Sequence, residues 1–432
     1  MLTREENDLL CRVEGDAAMG KMMRRYWLPA IPSSELVADG APKRVRLLGE
    51  DFVAFRDTNG RVGLLDENCP HRGASLVLAR NEQCGLRCLY HGWKFDVEGR
   101  TLETPPEPDE LNFKDKVRAP AYPVREAGGL VWAYLGPRGS EPPPPDFEFT
   151  HFPETHVLVM SAITSCNWAQ ALEGVIDSSH TNYLHSNGVR PAVTDRAVTI
   201  YKADASLDRP SNDGAPRVEA QNTAYGFRYA AIRKPLLDAD KNRYIRVTLF
   251  AAPCYAIFPA PDGWSFLQAF VPVDDTHTRF VFVMVKRNEP FTDEQRVTHA
   301  KRSGLLPGHD LDEFSRPIRH RDNNWLQDRE AMKAGSFSGI TGINTEDIAV
   351  QESMGPIYDR SKEHLGTGDV AVIRMRRVML DSLRAFIADG SAPLGLAEPV
   401  PYARLRAEEA MIPIDAPWQT VGAFAGEPVT SD

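Results

Sequence analysis

The sequence predicts an α+β chain in which a small all-β domain precedes a larger domain built on one helix-covered antiparallel sheet. Three observations lead there. Short apolar segments separated by Gly and Asn-Gly turns run from about Val45 to Pro137. Four consecutive prolines, Pro142 to Pro145, then interrupt the chain within an acidic stretch. Beyond them, a run of strand-like segments is framed by helix-like ones.

In chain order, Thr3-x-x-Glu6 before an apolar run reads as a capping box that opens a short N-terminal helix. The segment from Val45 to Cys69 breaks at Gly49-Glu50-Asp51 and at Asn59-Gly60, and Asn-Gly between apolar runs is a hairpin signal. Neither strand nor helix runs through four prolines, so they mark a linker. The expected division is a helical segment 1–25, a β domain 26–140, a Pro-rich linker 141–150 and a second domain 151–432. In that second domain Asn167–His185 reads as a helix. Tyr225–Ile232, Tyr244–Pro253, Trp264–Val273 and Arg279–Val285 read as strands of one sheet, and Asp322–Ala334, Thr345–Ser353 and Asp369–Asp389 as helices.

Composition narrows the function classes. With 432 residues, 42% of them hydrophobic and 25% charged, the chain is neither disordered nor fibrous. A net charge of -10 argues against gripping nucleic acid or an anionic membrane through bulk electrostatics. No apolar run approaches the roughly 20 residues of a membrane helix. The start MLTREENDLL has charges where a signal peptide needs an apolar stretch, so a cytoplasmic location is expected. Six cysteines do not make a disulfide scaffold, and their clustering with histidine points to metal.

Two constellations carry chemistry. The first is Cys69-Pro70-His71 and, sixteen residues on, Cys88-Leu89-Tyr90-His91. Each half brings one thiolate and one imidazole, the donor set of a Rieske [2Fe–2S] centre with two Cys on one iron and two His on the other. Gly73 and Gly92 follow the halves, where tight loops need residues without a Cβ. Trp93 and Phe95 can shield one side. A structural zinc ion is the alternative, although its usual spacing pairs Cys with Cys and His with His.

The second lies in Asn167–His185. Glu173, Asp177 and His180, spaced four and three apart, share a helical face. His185 follows His180 by five, about 140° away on a regular helix, so both reach one metal only if the helix distorts there. Two His and one carboxylate form the facial triad of non-haem Fe(II) oxygenases. The third ligand must come from elsewhere, and Asp347 in Asn344–Glu352 is the candidate, with a plain first-turn carboxylate as the alternative.

The motifs CPHRGA, CLYHGWKFD and NWAQALEGVIDSSHTNYLH together resemble the oxygenase component of Rieske non-haem iron ring-hydroxylating oxygenases. The stretch from Asn323 to Asp369 is similar to a branch that includes phthalate 4,5-dioxygenase, 3-chlorobenzoate dioxygenase, phenoxybenzoate dioxygenase and dehydrodivanillate O-demethylase. The resemblance implies a helix-grip-like catalytic domain. It implies a cluster on Cys69, His71, Cys88 and His91, and a mononuclear Fe(II) on His180, His185 and Asp347. It makes Asp177 the bridge that carries electrons to the iron from the cluster of a neighbouring chain, in a homotrimer or a hexamer of stacked trimers. O2 is the co-substrate.

No Gly-rich phosphate loop and no plant-type Cys run occurs. Electrons from NAD(P)H are therefore expected through a separate flavin and [2Fe–2S] reductase. The branch acts on aromatic carboxylates, whose charge calls for a bidentate Arg. Arg246, on a strand-like run with Thr248, is the first candidate, with Arg217 and Ser179 behind it; Phe250, Ile257 and Phe258 are candidates for an apolar slot. The expected activity is dihydroxylation of a benzoate-type acid of the phthalate or chlorobenzoate class. O-demethylation or ether cleavage by a monooxygenase is the alternative, because substrate placement over iron decides between them. A pure electron-transfer protein is a third reading, which would leave the second domain without a purpose.

Overall fold

The computed structural model describes residues 1–193, 199–201, 207–260 and 264–423. Two compact units emerge: Val13–Asp16 with Gly20–Pro145, and Met1–Arg12 with Ala17–Met19 and Asp146–Asp432. The proline run carries no regular structure, and the division between the units falls at its end, between Pro145 and Asp146.

The first unit holds three small sheets. Strands β1 (Trp27–Pro32), β9 (Val124–Ala127) and β10 (Leu130–Tyr134) form one of them. A second is the meander β2 (Lys43–Leu47), β3 (Glu50–Arg56) and β4 (Val62–Asp66). The third runs β5 (Arg80–Glu82), β6 (Gly85–Arg87), β7 (Lys94–Phe95) and β8 (Thr101–Glu103). The β3–β4 connection contains Asn59-Gly60, with Gly60 at φ +78°. The β2–β3 turn sits at Leu48-Gly49, one residue earlier than the sequence suggests, and Glu50-Asp51 already belong to β3. Val53, Phe55, Leu65, Leu76, Leu86, Trp93 and Phe95 pack into one core with Cys69 and Cys88.

The second unit is built on an antiparallel sheet. Its strands are β11 (Val157–Thr164), β15 (Arg217–Thr223), β16 (Gly226–Arg233), β17 (Asn242–Ala251), β18 (Tyr255–Phe258), β19 (Trp264–Pro272) and β20 (Thr278–Lys286). Their order is β11-β20-β19-β18-β17-β16-β15, and β21 (Glu409–Pro413) pairs with the first half of β17. A small sheet beside it joins β12 (Val189–Pro191), β13 (Ile200–Tyr201) and β14 (Leu207–Arg209). β16 and β20 are buried along their whole length, and in β20 this shows as the unbroken apolar run Phe280–Val285 rather than an alternation.

The helices are α1 (Arg4–Cys11), α2 (Ala18–Met23), α3 (Trp168–Ile176), α4 (Asp293–Ser303), α5 (Arg329–Lys333), α6 (Ile343–Ser353) and α7 (Val370–Asp389). The Thr3–Glu6 capping box is formed at α1, which packs on α3 and α7 and so belongs to the second unit rather than standing apart. α3 lies on β18 and β19, α7 on β15 and β16, and α6 on α3 and α4. Among the described residues no helix is long and apolar enough to cross a membrane.

Two helix expectations need correction. Asn167–His185 is not one helix: α3 ends at Ile176, and after Asp177 a separate 3-10 turn spans His180–Asn182. Asp177 causes the break, since its carboxylate accepts the Ser179 N–H at 2.7 Å and the His180 N–H at 3.2 Å, bonds that compete with helix continuation. Asp322–Ala334 is a kinked 3-10 segment, Arg321–Leu326, followed by the short α5. Asn324, Trp325 and Leu326 lie in the left-handed region, where tertiary bonds hold them: Trp325 Nε1 donates to Glu352 and Arg321 to the Glu352 carbonyl.

Candidate functional site

In the first unit, two loops of matching backbone pattern present the Cys and His pairs. The Gly73 N–H donates to the Cys69 carbonyl at 2.9 Å, and the Gly92 N–H to the Cys88 carbonyl at 3.0 Å. Cys69 N–H reaches the Ala74 carbonyl at 2.9 Å and Cys88 N–H the Trp93 carbonyl at 2.8 Å. Both glycines sit near φ +75°, a conformation that a Cβ would strain. The loops bring the His71 and His91 rings to 4.4 Å, and Trp93 stacks flat on His71 at 4.4 Å.

Both thiols are buried, and burial together with the neighbouring Cys88 pushes the Cys69 thiol up from its ordinary value. The His91 Nδ1 is buried without a hydrogen-bond partner, a donor atom turned inward toward nothing the protein supplies. The four residues fit a metal cluster. They do not converge on one point as a single tetrahedral zinc requires: among the described residues, the metal-type donors gathered within 4.8 Å of one another are His180, His185 and Asp347.

The second unit assembles that three-donor group from two elements. The bend after α3 carries both histidines, and their Nε2 atoms lie 3.2 Å apart. Asp347, on α6, places Oδ1 3.1 Å from His185 Nε2 and 3.6 Å from His180 Nε2. Three donors about 2.1 Å from one ion at right angles would be roughly 3.0 Å apart, so the trio matches one face of an octahedron and leaves the opposite side open. α6 is held there by backbone contact with the end of α4. A Cβ on Gly342 would come within 2.7 Å of Gly304 Cα, and one on Gly304 within 1.9 Å of Thr345 Oγ1.

The other ring nitrogen is hydrogen-bonded in His185 but only approached by a carboxylate in His180. His185 Nδ1 meets the buried Glu346 carboxylate at 2.7 Å, which in turn accepts from the Ser338 hydroxyl. His180 Nδ1 lies 3.4 Å from Asp177 Oδ2. Burial works against charge on His185, but Asp347 and Glu346 outweigh it and raise the imidazole to about 10. The pocket is thus built for positive charge, which a divalent cation supplies. Burial alone would raise the Asp177 carboxyl, yet its bonds to His180 and to the Ser179 and His180 N–H groups hold it below the ordinary range.

The trio opens onto a cavity of about 140 Å³, whose walls include Asp177, Thr181, Phe258, Phe266, Phe282 and Met284. Arg209, Arg246, Gln268, Arg302 and Asn344 add polar groups. Among the described residues, Arg246 has weak partners, the Pro259 carbonyl at 3.4 Å and Glu409 at 3.9 Å. That Glu409 carboxylate is mostly occupied by the Tyr244 hydroxyl and the Thr199 N–H.

Of the other sequence candidates, Phe258 lines the cavity, whereas Phe250 packs on Phe227 in the core and Ile257 borders a different hollow. Ser179 is not part of the lining, and Arg217 is exposed on the edge strand β15, paired with Glu219. Glu173 does not share a face with His180; it turns to buried Arg360 and Arg376.

Sequence reasoning missed Glu346 and Arg209. The first had a usable signal, because a metal-binding imidazole needs a partner for its second nitrogen and a carboxylate adjoins Asp347. For Arg209 no local pattern distinguishes it from the chain's other arginines.

Comparison with known proteins agrees with this geometry. Residues 26–123 match the Rieske [2Fe-2S] domain family, and residues 133–429 match the family described as LigXa C-terminal domain like. The chain is 49% identical over 424 residues to the phthalate 4,5-dioxygenase oxygenase subunit of Pseudomonas putida, covering 97% of this chain and 94% of that one. It is 38% identical to the 3-chlorobenzoate-3,4-dioxygenase oxygenase subunit of Comamonas testosteroni, covering 97% of each. The solved structure of the NdmA QL mutant from Pseudomonas putida CBB5 with caffeine has the same fold, at TM-score 0.58 and 16% identity, over 88% of this chain and 97% of that one. With both metal-type sites in place and both halves matched, the chain belongs to the Rieske [2Fe–2S] oxygenases, as an oxygenase subunit of the branch that contains the phthalate and chlorobenzoate dioxygenases.

Proposed function

We propose that this chain is the terminal oxygenase that dihydroxylates an aromatic ring bearing two adjacent carboxylates. One observation carries the reading: the three-donor metal site and three guanidiniums, buried Arg209 with partly buried Arg246 and Arg302, line a single cavity that also presents three phenylalanine rings. A wall rich in guanidinium suits a dianion with two carboxylates, for which Arg209 and Arg246 are the proposed partners, and the Phe258, Phe266 and Phe282 rings suit the flat ring between them.

In this reading Cys69 and Cys88 hold one cluster iron and His71 and His91 the other, while His180, His185 and Asp347 hold the mononuclear iron. When bound, the two centres supply electrons and O2 activation. The protein's own part is orientation: Arg209 and Arg246 fix the acid, Glu346 sets the His185 ring, and Asp177 sets His180. Asp177 is also the link by which an electron arrives, from the cluster of a neighbouring chain in a trimer or a stacked-trimer hexamer. Residues 26–140 then act as the cluster domain and 151–432 as the catalytic one. A separate flavin and iron–sulfur reductase feeds the system from NAD(P)H in the cytoplasm. Ser179 and Arg217 are not among the residues that line the cavity and are given no role in this reading.

The test is a single turnover of reduced, Fe(II)-loaded protein with O2 and a panel of benzene-1,2-dicarboxylate, chlorobenzoates and methoxybenzoates, read by mass spectrometry. A dicarboxylate product heavier by two oxygens and two hydrogens is expected. Demethylation with release of formaldehyde, and no conversion of the dicarboxylate, would overturn the reading.

A further inference from the structure

Arg209 has two working edges. It ends β14 and is only 4% exposed. Its Nη1 donates to Thr181 Oγ1 at 3.0 Å and to Asn182 Oδ1 at 3.1 Å, both on the 3-10 turn that begins with His180. Its Nε is buried without a hydrogen-bond partner, while the residue lines the cavity. An N–H without a hydrogen-bond partner among the described residues, on a buried cation of a cavity-lining residue, awaits an acceptor.

The His180 turn is held differently at its start. The Tyr229 hydroxyl donates to the Ile176 carbonyl at 2.5 Å, and Arg233 Nη2 to the Ser178 carbonyl at 2.7 Å. Both come from the wholly buried β16, so this end is fixed to the sheet. Ser178 O also accepts from Thr181 Oγ1 at 3.0 Å, the same hydroxyl that Arg209 grips. Among the described residues, the side chain that holds Thr181 and Asn182 from outside the turn is Arg209, which also lines the cavity.

We propose that Arg209 is a positioning residue that relays occupancy of the carboxylate site to the turn carrying His180, and so couples substrate binding to the metal site. This rests on the dicarboxylate reading above. The guanidinium is a rigid plane, so an anion that draws its Nε edge also shifts the Nη1 edge on which Thr181 and Asn182 hang. Coupling of this kind is reciprocal: the anion must change metal affinity by the same factor as the metal changes anion affinity.

The experiment measures Co(II) affinity of the protein with its cluster intact, with and without saturating benzene-1,2-dicarboxylate, and dicarboxylate affinity with and without Co(II). Unmodified protein is expected to give one factor of about fivefold or more from both measurements. Thr181→Val, which removes the hydroxyl, is expected to bring the factor below about twofold, and Thr181→Ser to restore it; Asn182→Ala is a second variant on the same turn. A factor that survives in both Thr181→Val and Asn182→Ala would mean that anion and metal couple through space, and would overturn the relay. So would dicarboxylate binding with no effect on metal affinity in the unmodified protein. No dicarboxylate binding at all would overturn the substrate reading, and the relay with it.

Discussion

At the scale of single residues, the proposed metal site depends on side chains outside its three donors. Glu346 is the clearest, because its carboxylate holds His185 Nδ1 at 2.7 Å and so dictates which nitrogen faces Asp347 and His180. Glu346→Gln is expected to lower affinity for Fe(II) or Co(II) by about 10- to 100-fold while the cluster absorbance stays unchanged, as metal titration will show. In the proposed function Arg246 acts on the substrate instead. Loss of a charge-assisted bond to a carboxylate costs about 1.5–3 kcal/mol. Arg246→Met is therefore expected to raise KM for the dicarboxylate by roughly 10- to 150-fold, with a smaller change in kcat, in steady-state oxygen uptake.

At the scale of elements, the end of α3 decides the geometry. Its last turn is clamped by Glu173, which pairs with Arg360 and Arg376, and Arg376 pairs further with Glu363. All four side chains are largely buried, so removing the shared carboxylate charge leaves two guanidiniums short of a partner, a cost of about 3–5 kcal/mol. Burial alone would raise the Glu173 carboxyl, but the two arginines win and hold it below its ordinary 4.5. A carboxylate lowered in the folded state contributes its full stability above the unfolded value and loses it as the pH falls through the folded one. Urea midpoints should therefore separate wild type from Glu173→Gln most widely at pH 7, with the gap narrowing once the pH drops below about 4.5. A gap that stays constant down to pH 3 would mean the ion pairs contribute little. At the other end of the site, the bare backbones of Gly304 and Gly342 let α4 and α6 touch. Gly342→Ala is expected to push Asp347 away from the histidines and reduce bound metal, measured as iron per chain.

At the scale of the whole molecule, the proposed electron path runs between chains. Cys69→Ser removes the cluster and His180→Ala the mononuclear iron, and each alone should be inactive. Co-expressed in one oligomer, the two variants are expected to recover turnover, because an intact cluster in one chain then faces an intact iron site in the next. Absence of recovery in mixed oligomers, verified by mass, would place the path within a single chain.

Much of this protein is determined locally and was legible without coordinates. Cys-x-His and Cys-x-x-His with a following Gly specify their loops through backbone rules that act over four or five residues. Asn-Gly specifies a hairpin, and Thr3–Glu6 a helix start, for the same reason. The β16, β17, β19 and β20 strands were visible within one or two residues because burial writes largely apolar runs. What lay beyond the sequence depends on contacts between distant residues. Local spacing extends α3 through His185, whereas Asp177 caps it and Tyr229 and Arg233, some fifty residues on, pin the unwound backbone. Spacing put Glu173 beside His180, but the arginines near the other end of the chain turn it away. Arg209 matters only because the fold sets one of its edges against the His180 turn and the other in the cavity wall. Short-range backbone chemistry thus determined which residues can hold metal, and long-range packing decided which side chains aim and couple them, since a hydrogen bond across hundreds of residues leaves no periodic trace in the chain.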